Sequence, residues 1–181
     1  MSLLLVLAPL ALGGGGAAAL TAASAAVAAA GLVGSKIALG VAAEANLRHL
    51  AYLKELYAQS QNGILPPIET IYSDYALLHK TLTEHGLQVS EISDNRISGQ
   101  SGNIVINYTR QTSDDVFWAT VSGIQNEDEF FADFGSCENE YRQNVQTNTY
   151  NALIENLQNS NMSIESETVL EDNTILLTIN I

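Results

Sequence analysis

The pattern of apolar and polar positions divides the chain into three regimes. From Leu3 to Ala43 apolar and small residues run almost unbroken: LLLVLAPLAL, then GGGG, then AAALTAASAAVAAAGLVGSKIALGVAA. From Glu44 to Tyr57 the apolar positions fall three and four apart, with Leu47, Leu50, Leu53, Leu56 and Tyr57 set against Glu44, Arg48, Lys54 and Glu55. That spacing predicts an amphipathic helix. Residues 59–63 end it and Pro66-Pro67 forms a stiff joint, because the residue before a proline is driven out of the helical region. Past this joint the pattern shortens into strand-like alternation broken by two helical stretches.

Taken in order, residues 68–72 predict a strand, and Ser73 caps a helix over 74–85 that buries Tyr75, Leu78 and Leu82 and stops at Gly86. Residues 87–92 predict a strand, Ser93-Asp94-Asn95 a turn, and 103–110 a strand with Ile104, Ile106 and Tyr108 on one face. A turn over 112–115 leads into a strand over 116–122, and another strand is expected around 129–133. A long helix over 137–158 uses Tyr141, Val145, Ala152, Leu153 and Leu157. The chain then closes with a hairpin of 162–170 and 174–181 about Glu171-Asp172-Asn173. The order strand, helix, strand, turn, strand occurs twice, which suggests a βαββ duplication. The fold class expected is α+β, one antiparallel-rich sheet with two helices on one face, preceded by a long N-terminal hydrophobic helix. Three segments result: 1–43 hydrophobic and Ala/Gly-rich, 44–67 amphipathic helix and linker, 68–181 acidic domain.

Charge sharpens the division. All 20 acidic residues follow Ala43, against 6 basic ones, so the part after the apolar segment carries a balance of −14. So acidic a surface excludes nucleic acid, which needs clustered Lys and Arg to neutralise phosphate, and excludes lying flat on anionic lipid. Contact with a bilayer has to come through residues 3–43. As one helix they would extend about 60 Å, twice the hydrocarbon thickness. A single span over 17–42 is expected. Hairpin turns at 13–16 or 31–35 each leave one arm too short to cross. Lys36, Arg48 and Lys54 follow the span and nothing basic precedes it, which predicts the N-terminus out and the acidic domain in the cytoplasm. The missing basic n-region argues against a cleaved signal peptide.

Ala and Gly contribute little to lipid burial, but they let helices approach closely. Gly14 with Ala18, Ala22 with Ala26, and Gly31 with Ser35 are small-xxx-small pairs of that kind. They are the candidate self-association residues. The same composition suits the dry centre of a cytoplasmic protein assembly.

Several segments of the acidic domain carry a family likeness. They are Ser98-Gly99-Gln100 as a turn before Asn103-Ile104-Val105-Ile106; Val116-Phe117-Trp118-Ala119; Glu129-Phe130-Phe131-Ala132-Asp133-Phe134-Gly135; a long helix with Tyr141 early in it; and Glu165 and Glu167 on a strand before Thr174-Ile175-Leu176-Leu177. In this order they resemble the hypothetical chloroplast frame thirty-five family over roughly 69–181. The chain departs from that family in its apolar addition, in Phe134 and Gly135 where the family has paired tryptophans, and in lacking a basic C-terminal end. The resemblance implies a fold and no established activity, and its gene context implies an ATPase partner.

No constellation of catalytic, cofactor or metal residues emerges. Glu127-Asp128-Glu129 with Asp133, Glu138 and Glu140 match no EF-hand spacing and read as a solvated face. His79 and His85 lie on opposite sides of their helix and, with His49, read as surface or capping residues. Ser98-Gly99 and Ser101-Gly102 lack the lysine and helix of a phosphate loop. Cys137 sits between acidic neighbours and reads as a small buried hydrophobe. Trp118 groups with Phe117, Phe130, Phe131 and Phe134 as core.

The reading expected from sequence is therefore a non-enzymatic structural protein, a homo-oligomer anchored in a membrane. Its alternatives are a soluble particle or filament subunit with the N-terminal helix in its core, or a membrane-inserting pore-type effector. An enzyme or small-ligand module on the sheet face is the remaining class.

Overall fold

A computed structural model describes residues 2–7, 51–55, 57–58, 65–170 and 175–180. They divide into two compact units, and the chain passes from one to the other between Tyr141 and Arg142.

The first unit is built on a five-stranded antiparallel sheet. Its strands are β2 (Ile68–Glu69), β3 (Gln88–Ser93), β4 (Arg96–Ser101), β5 (Ile104–Thr109) and β6 (Trp118–Ser122), in spatial order β2-β6-β5-β4-β3. The inner face carries Ile97, Ile106, Tyr108, Ala119 and Val121, all buried. Helix α1 (Tyr75–Glu84) lays Leu77, Leu78, Thr81 and Leu82 into the core. The first part of α2 (Glu127–Asn159) adds Phe130, Phe131, Phe134, Cys137 and Tyr141. Residues 51–55 and 57–58 are helical, as the apolar spacing predicts. Leu53 is fully buried and the Tyr57 ring meets Phe131 edge to face at 5.9 Å.

The second unit holds the rest of α2 and a three-stranded sheet in the order β1 (Ser2–Leu7), β8 (Ile175–Asn180), β7 (Ser163–Val169). Leu153 and Leu157 pack on Leu177 and Ile179, with Tyr150, Met162, Ile164 and Ile175 around them. Asn161, at φ 53°, ends α2 in the left-handed conformation, and the Met162 amide reaches back to the Leu157 carbonyl at 2.9 Å. Both features belong to a Schellman-type stop.

The α+β class with an antiparallel sheet holds, and several finer expectations change. The described residues form two sheets where one was expected, because the terminal hairpin pairs with β1 and not with β2–β6. The strand expected at 129–133 is the opening of α2, so the second half of the duplication lacks its first strand. Asn126 explains this. Its Oδ1 accepts from the Glu129 amide at 3.4 Å and its Nδ2 donates to Glu129 Oε2 at 3.3 Å, a reciprocal cap. Glu127, Asp128 and Glu129 then fill the first turn, where the helix dipole favours negative charge.

Asp74, not Ser73, caps α1, with Oδ1 accepting from the Leu77 amide at 2.9 Å. Residues 98–100, expected as a turn, lie inside β4. Gly99 is held in the strand by pairing with Val89 and Ile106, and Leu87 Cδ2 packs where its Cβ would be, 2.7 Å away. Finally, residues 2–7, expected at the start of the N-terminal helix, form β1. It runs antiparallel to β8 from Ser2 opposite Asn180 to Leu7 opposite Ile175. A short aliphatic run satisfies a strand as well as a helix, and the available partner decides between them. The rest of the expected N-terminal helix, 8–43, lies outside the described residues.

Candidate functional site

Three tyrosines and a cysteine meet between the sheet and α2. Tyr72 stacks edge to face on Tyr108 at 5.5 Å and on Tyr141 at 4.8 Å. The Tyr141 hydroxyl accepts from the Ser73 amide at 3.1 Å and the Asp74 amide at 3.0 Å. The Tyr72 hydroxyl makes no well-formed hydrogen bond, and its polar neighbour is the Cys137 thiol. Burial pushes Cys137 up to about 12, Tyr72 partly offsetting it, so the thiolate nucleophile is suppressed. Burial also holds Tyr72 and Tyr108 well above 10.0. Cys137 is buried, as expected.

His85 differs from a plain surface histidine. It is the C-cap of α1, and both ring nitrogens meet carboxylates of α2: Nε2 to Asp133 Oδ1 at 3.1 Å and Nδ1 to Glu140 Oε1 at 3.0 Å. Asp133 and Glu140 are seven residues apart, two turns, and so share a helix face. Burial works against the imidazolium, but the hydrogen bonds to Glu140 and Asp133 outweigh it and raise its pKa above 6.5. The carboxylates approach two separate edges of the ring and do not converge on a vacant point. Among the described residues no group of His, Cys, Asp and Glu forms a metal site. His79 pairs separately with Glu91 at 3.1 Å.

A cleft of mixed chemistry lies at the β2–β6 end of the sheet. It measures about 460 Å³ and is lined by Glu69, Thr109, Arg110, Gln111, Asp115, Val116 and Trp118. Arg110 frames it. Its guanidinium donates to the carbonyls of Ser73 at 2.7 Å, Ser113 at 2.9 Å and Asp94 at 3.0 Å, and to Asn95 Oδ1 at 3.0 Å. It also lies 4.5 Å over the Phe117 ring. Four donors held this way leave Arg110 a brace for three loops. Asp115 closes its own turn, with Oδ2 accepting from the Thr112 amide and hydroxyl.

Trp118 breaks with the expected aromatic core. Phe117 is fully buried, whereas Trp118 is 43% exposed. Strand alternation is the cause: Phe117 and Ala119 point inward, so Trp118 points out. It stands between Thr109 on one side and Glu69 on the other, and Thr109 lies opposite Arg96. A second row across the same face reads Ser90, Ser98, Asn107, Thr120. A third reads Gln88, Gln100, Val105, Ser122. All of these are exposed or half-exposed.

The self-association candidates Gly14, Ala18, Ala22, Ala26, Gly31 and Ser35 lie outside the described residues. Among the described residues no helix is long and apolar enough to cross a membrane. No protein-family model, curated protein or solved structure matches the chain.

Proposed function

We propose that this chain is a non-enzymatic, self-associating interaction protein that displays an acidic α+β domain from a membrane in the cytoplasm. The observation that carries the reading is the segregation of charge: one charge, Lys36, in the 41 residues from Leu3 to Ala43, against 26 in those that follow. A segment of that composition gains by burial in lipid or against copies of itself, and the domain gains nothing from either. The similarity to the hypothetical chloroplast frame thirty-five family, and the ATPase partner its gene context implies, belong to this proposal.

The pairing of β1 with β8 bears on orientation. A strand hydrogen-bonded into a sheet lies on the same side of a bilayer as that sheet, which counts against the N-terminus-out arrangement. It favours a segment that enters and returns from one face. It equally favours the second reading, a soluble assembly with the apolar segment at its centre, since two full crossings leave an arm too short.

Carbonate extraction of the full chain, with sizing in detergent and without it, tests both. Retention in the membrane pellet and an oligomer in detergent are expected. A large detergent-free particle would overturn attachment and keep self-association, while a monomer in both conditions would overturn self-association.

A further inference from the structure

We infer that the open face of the five-stranded sheet, with Trp118 as its platform, binds a neutral polyhydroxylated ligand of the saccharide class. This goes beyond the proposal above and stands whether or not the N-terminal segment enters a bilayer.

The first ground is what this face lacks. The chain carries 20 acidic residues against 7 basic, yet the three cross-strand rows hold only Arg96 and Glu69, which cancel. The other 19 acidic residues lie elsewhere in the sequence. Here, Ser, Thr, Asn and Gln fill most of the positions, groups that both donate and accept hydrogen bonds without charge. Such a face offers little to an apolar helix, because Trp118 is the one large exposed apolar side chain on its three rows and the sheet's other one, Ile92, stands apart on the far edge strand β3. A basic peptide would find two carboxylates at the cleft, Glu69 and Asp115, the second already accepting from Thr112, with the guanidiniums of Arg110 in the cleft wall and Arg96 in the same row to repel it. Nucleic acid and other polyanions meet a chain of net charge −13.

The second ground is the ring itself. Trp118 is flanked in register by a hydroxyl, Thr109, and a carboxylate, Glu69, above a cleft of about 460 Å³. That volume lies within the range of small-ligand sites. The electron-rich face of an indole attracts weakly acidic C–H groups, and a sugar ring presents a face of them with hydroxyls around its rim. Those hydroxyls would meet Thr109, Glu69 and Gln111, while the Arg110 brace keeps the cleft wall in place. Each interaction is neutral or singly charge-assisted, so the site fits a ligand held by stacking and several modest hydrogen bonds.

Trp118 is the only tryptophan in the chain, so its fluorescence reports the site directly. The probes are maltohexaose, cellohexaose and chitohexaose, with a heparin hexasaccharide and hexalysine as charged comparators. The full chain is held in a detergent without a sugar headgroup. At least one neutral hexasaccharide should shift the emission saturably, and both charged probes should leave it unmoved. By calorimetry, Trp118→Ala should weaken that binding about tenfold or more, and Thr109→Val less. Thr109→Val should unfold near the wild-type denaturant midpoint, and Trp118→Ala, which truncates a ring more than half covered on its strand, somewhat below it but in one cooperative transition. No shift with any neutral probe, a shift with a charged probe only, or wild-type affinity in Trp118→Ala would each overturn the assignment.

Discussion

The hydroxyl of Tyr141 holds the N-terminus of α1 by accepting from the amide of Asp74, the capping residue, as well as from that of Ser73. Tyr72 lies against it, equally buried, with a hydroxyl that makes no well-formed hydrogen bond. The two rings therefore answer differently to loss of one oxygen. Tyr141→Phe strands two amide donors and should cost about 2 kcal/mol or more. Tyr72→Phe removes a buried hydroxyl that gains little and should be neutral or slightly stabilising. Urea midpoints of the two variants give the comparison; equal effects would contradict the assigned roles.

The bridge from His85 to Asp133 and Glu140 makes stability depend on pH. Its pKa is raised on folding, so its contribution is complete below the unfolded value of about 6.5 and is lost as pH rises through the higher folded value. His85→Gln should destabilise by about 1 kcal/mol near pH 6 and by clearly less near pH 9, the partly exposed carboxylates limiting the effect. Thermal unfolding of both proteins across that range measures it, and a pH-independent difference would remove the imidazolium from the explanation.

Arg110→Lys keeps the charge and loses the fork that reaches three carbonyls and Asn95. A loss of about 2 to 3 kcal/mol is expected, with earlier proteolysis in the loops around Asp94 and Ser113. Wild-type stability would mean that the loops stand without their brace.

Gly123 follows β6 at φ +84°, and a Cβ there would run into the Asn103 carbonyl oxygen. Gly123→Ala adds this backbone clash to the left-handed strain, so a loss of more than about 2 kcal/mol is expected. Comparison of denaturant midpoints checks it.

Native Cys137 should resist an aromatic disulfide reagent at neutral pH and react promptly once unfolded, because burial raises its thiol to about 12. Rapid native labelling would contradict the burial seen for it.

Much of the domain was legible because its signals are local. The alternation of 104–109, the apolar spacing of α1 and the polar punctuation before β8 each need only a few neighbouring residues to be recognised. The misreadings came where two local signals compete. Residues 129–133 form a short apolar run that suits a strand, but Phe130, Phe131, Phe134 and Cys137 also follow a helical face, and the Asn126 cap selects it. Residues 98–100 read as a turn because Ser and Gly are turn residues, whereas pairing with β5 on one side and β3 on the other makes them a strand. The cleft was half legible: period two from Phe117 and Ala119 already turns Trp118 outward, but grouping it with the phenylalanines hid this.

The sequence alone determined the segregation of an apolar, nearly uncharged stretch from Leu3 to Ala43 and a domain carrying all the acid, because hydropathy and charge are properties of composition. It also determined the α+β class, because period two and period 3.6 are written residue by residue. Tertiary structure decided which strands share a sheet, that Ser2–Leu7 pairs with Ile175–Asn180, and that His85 meets two carboxylates from a helix more than forty residues on. It also decided that Arg96, Thr109, Trp118 and Glu69 form one row. Those relationships depend on register between distant segments, and register is set by the packing of the whole inner face rather than by any stretch of chain.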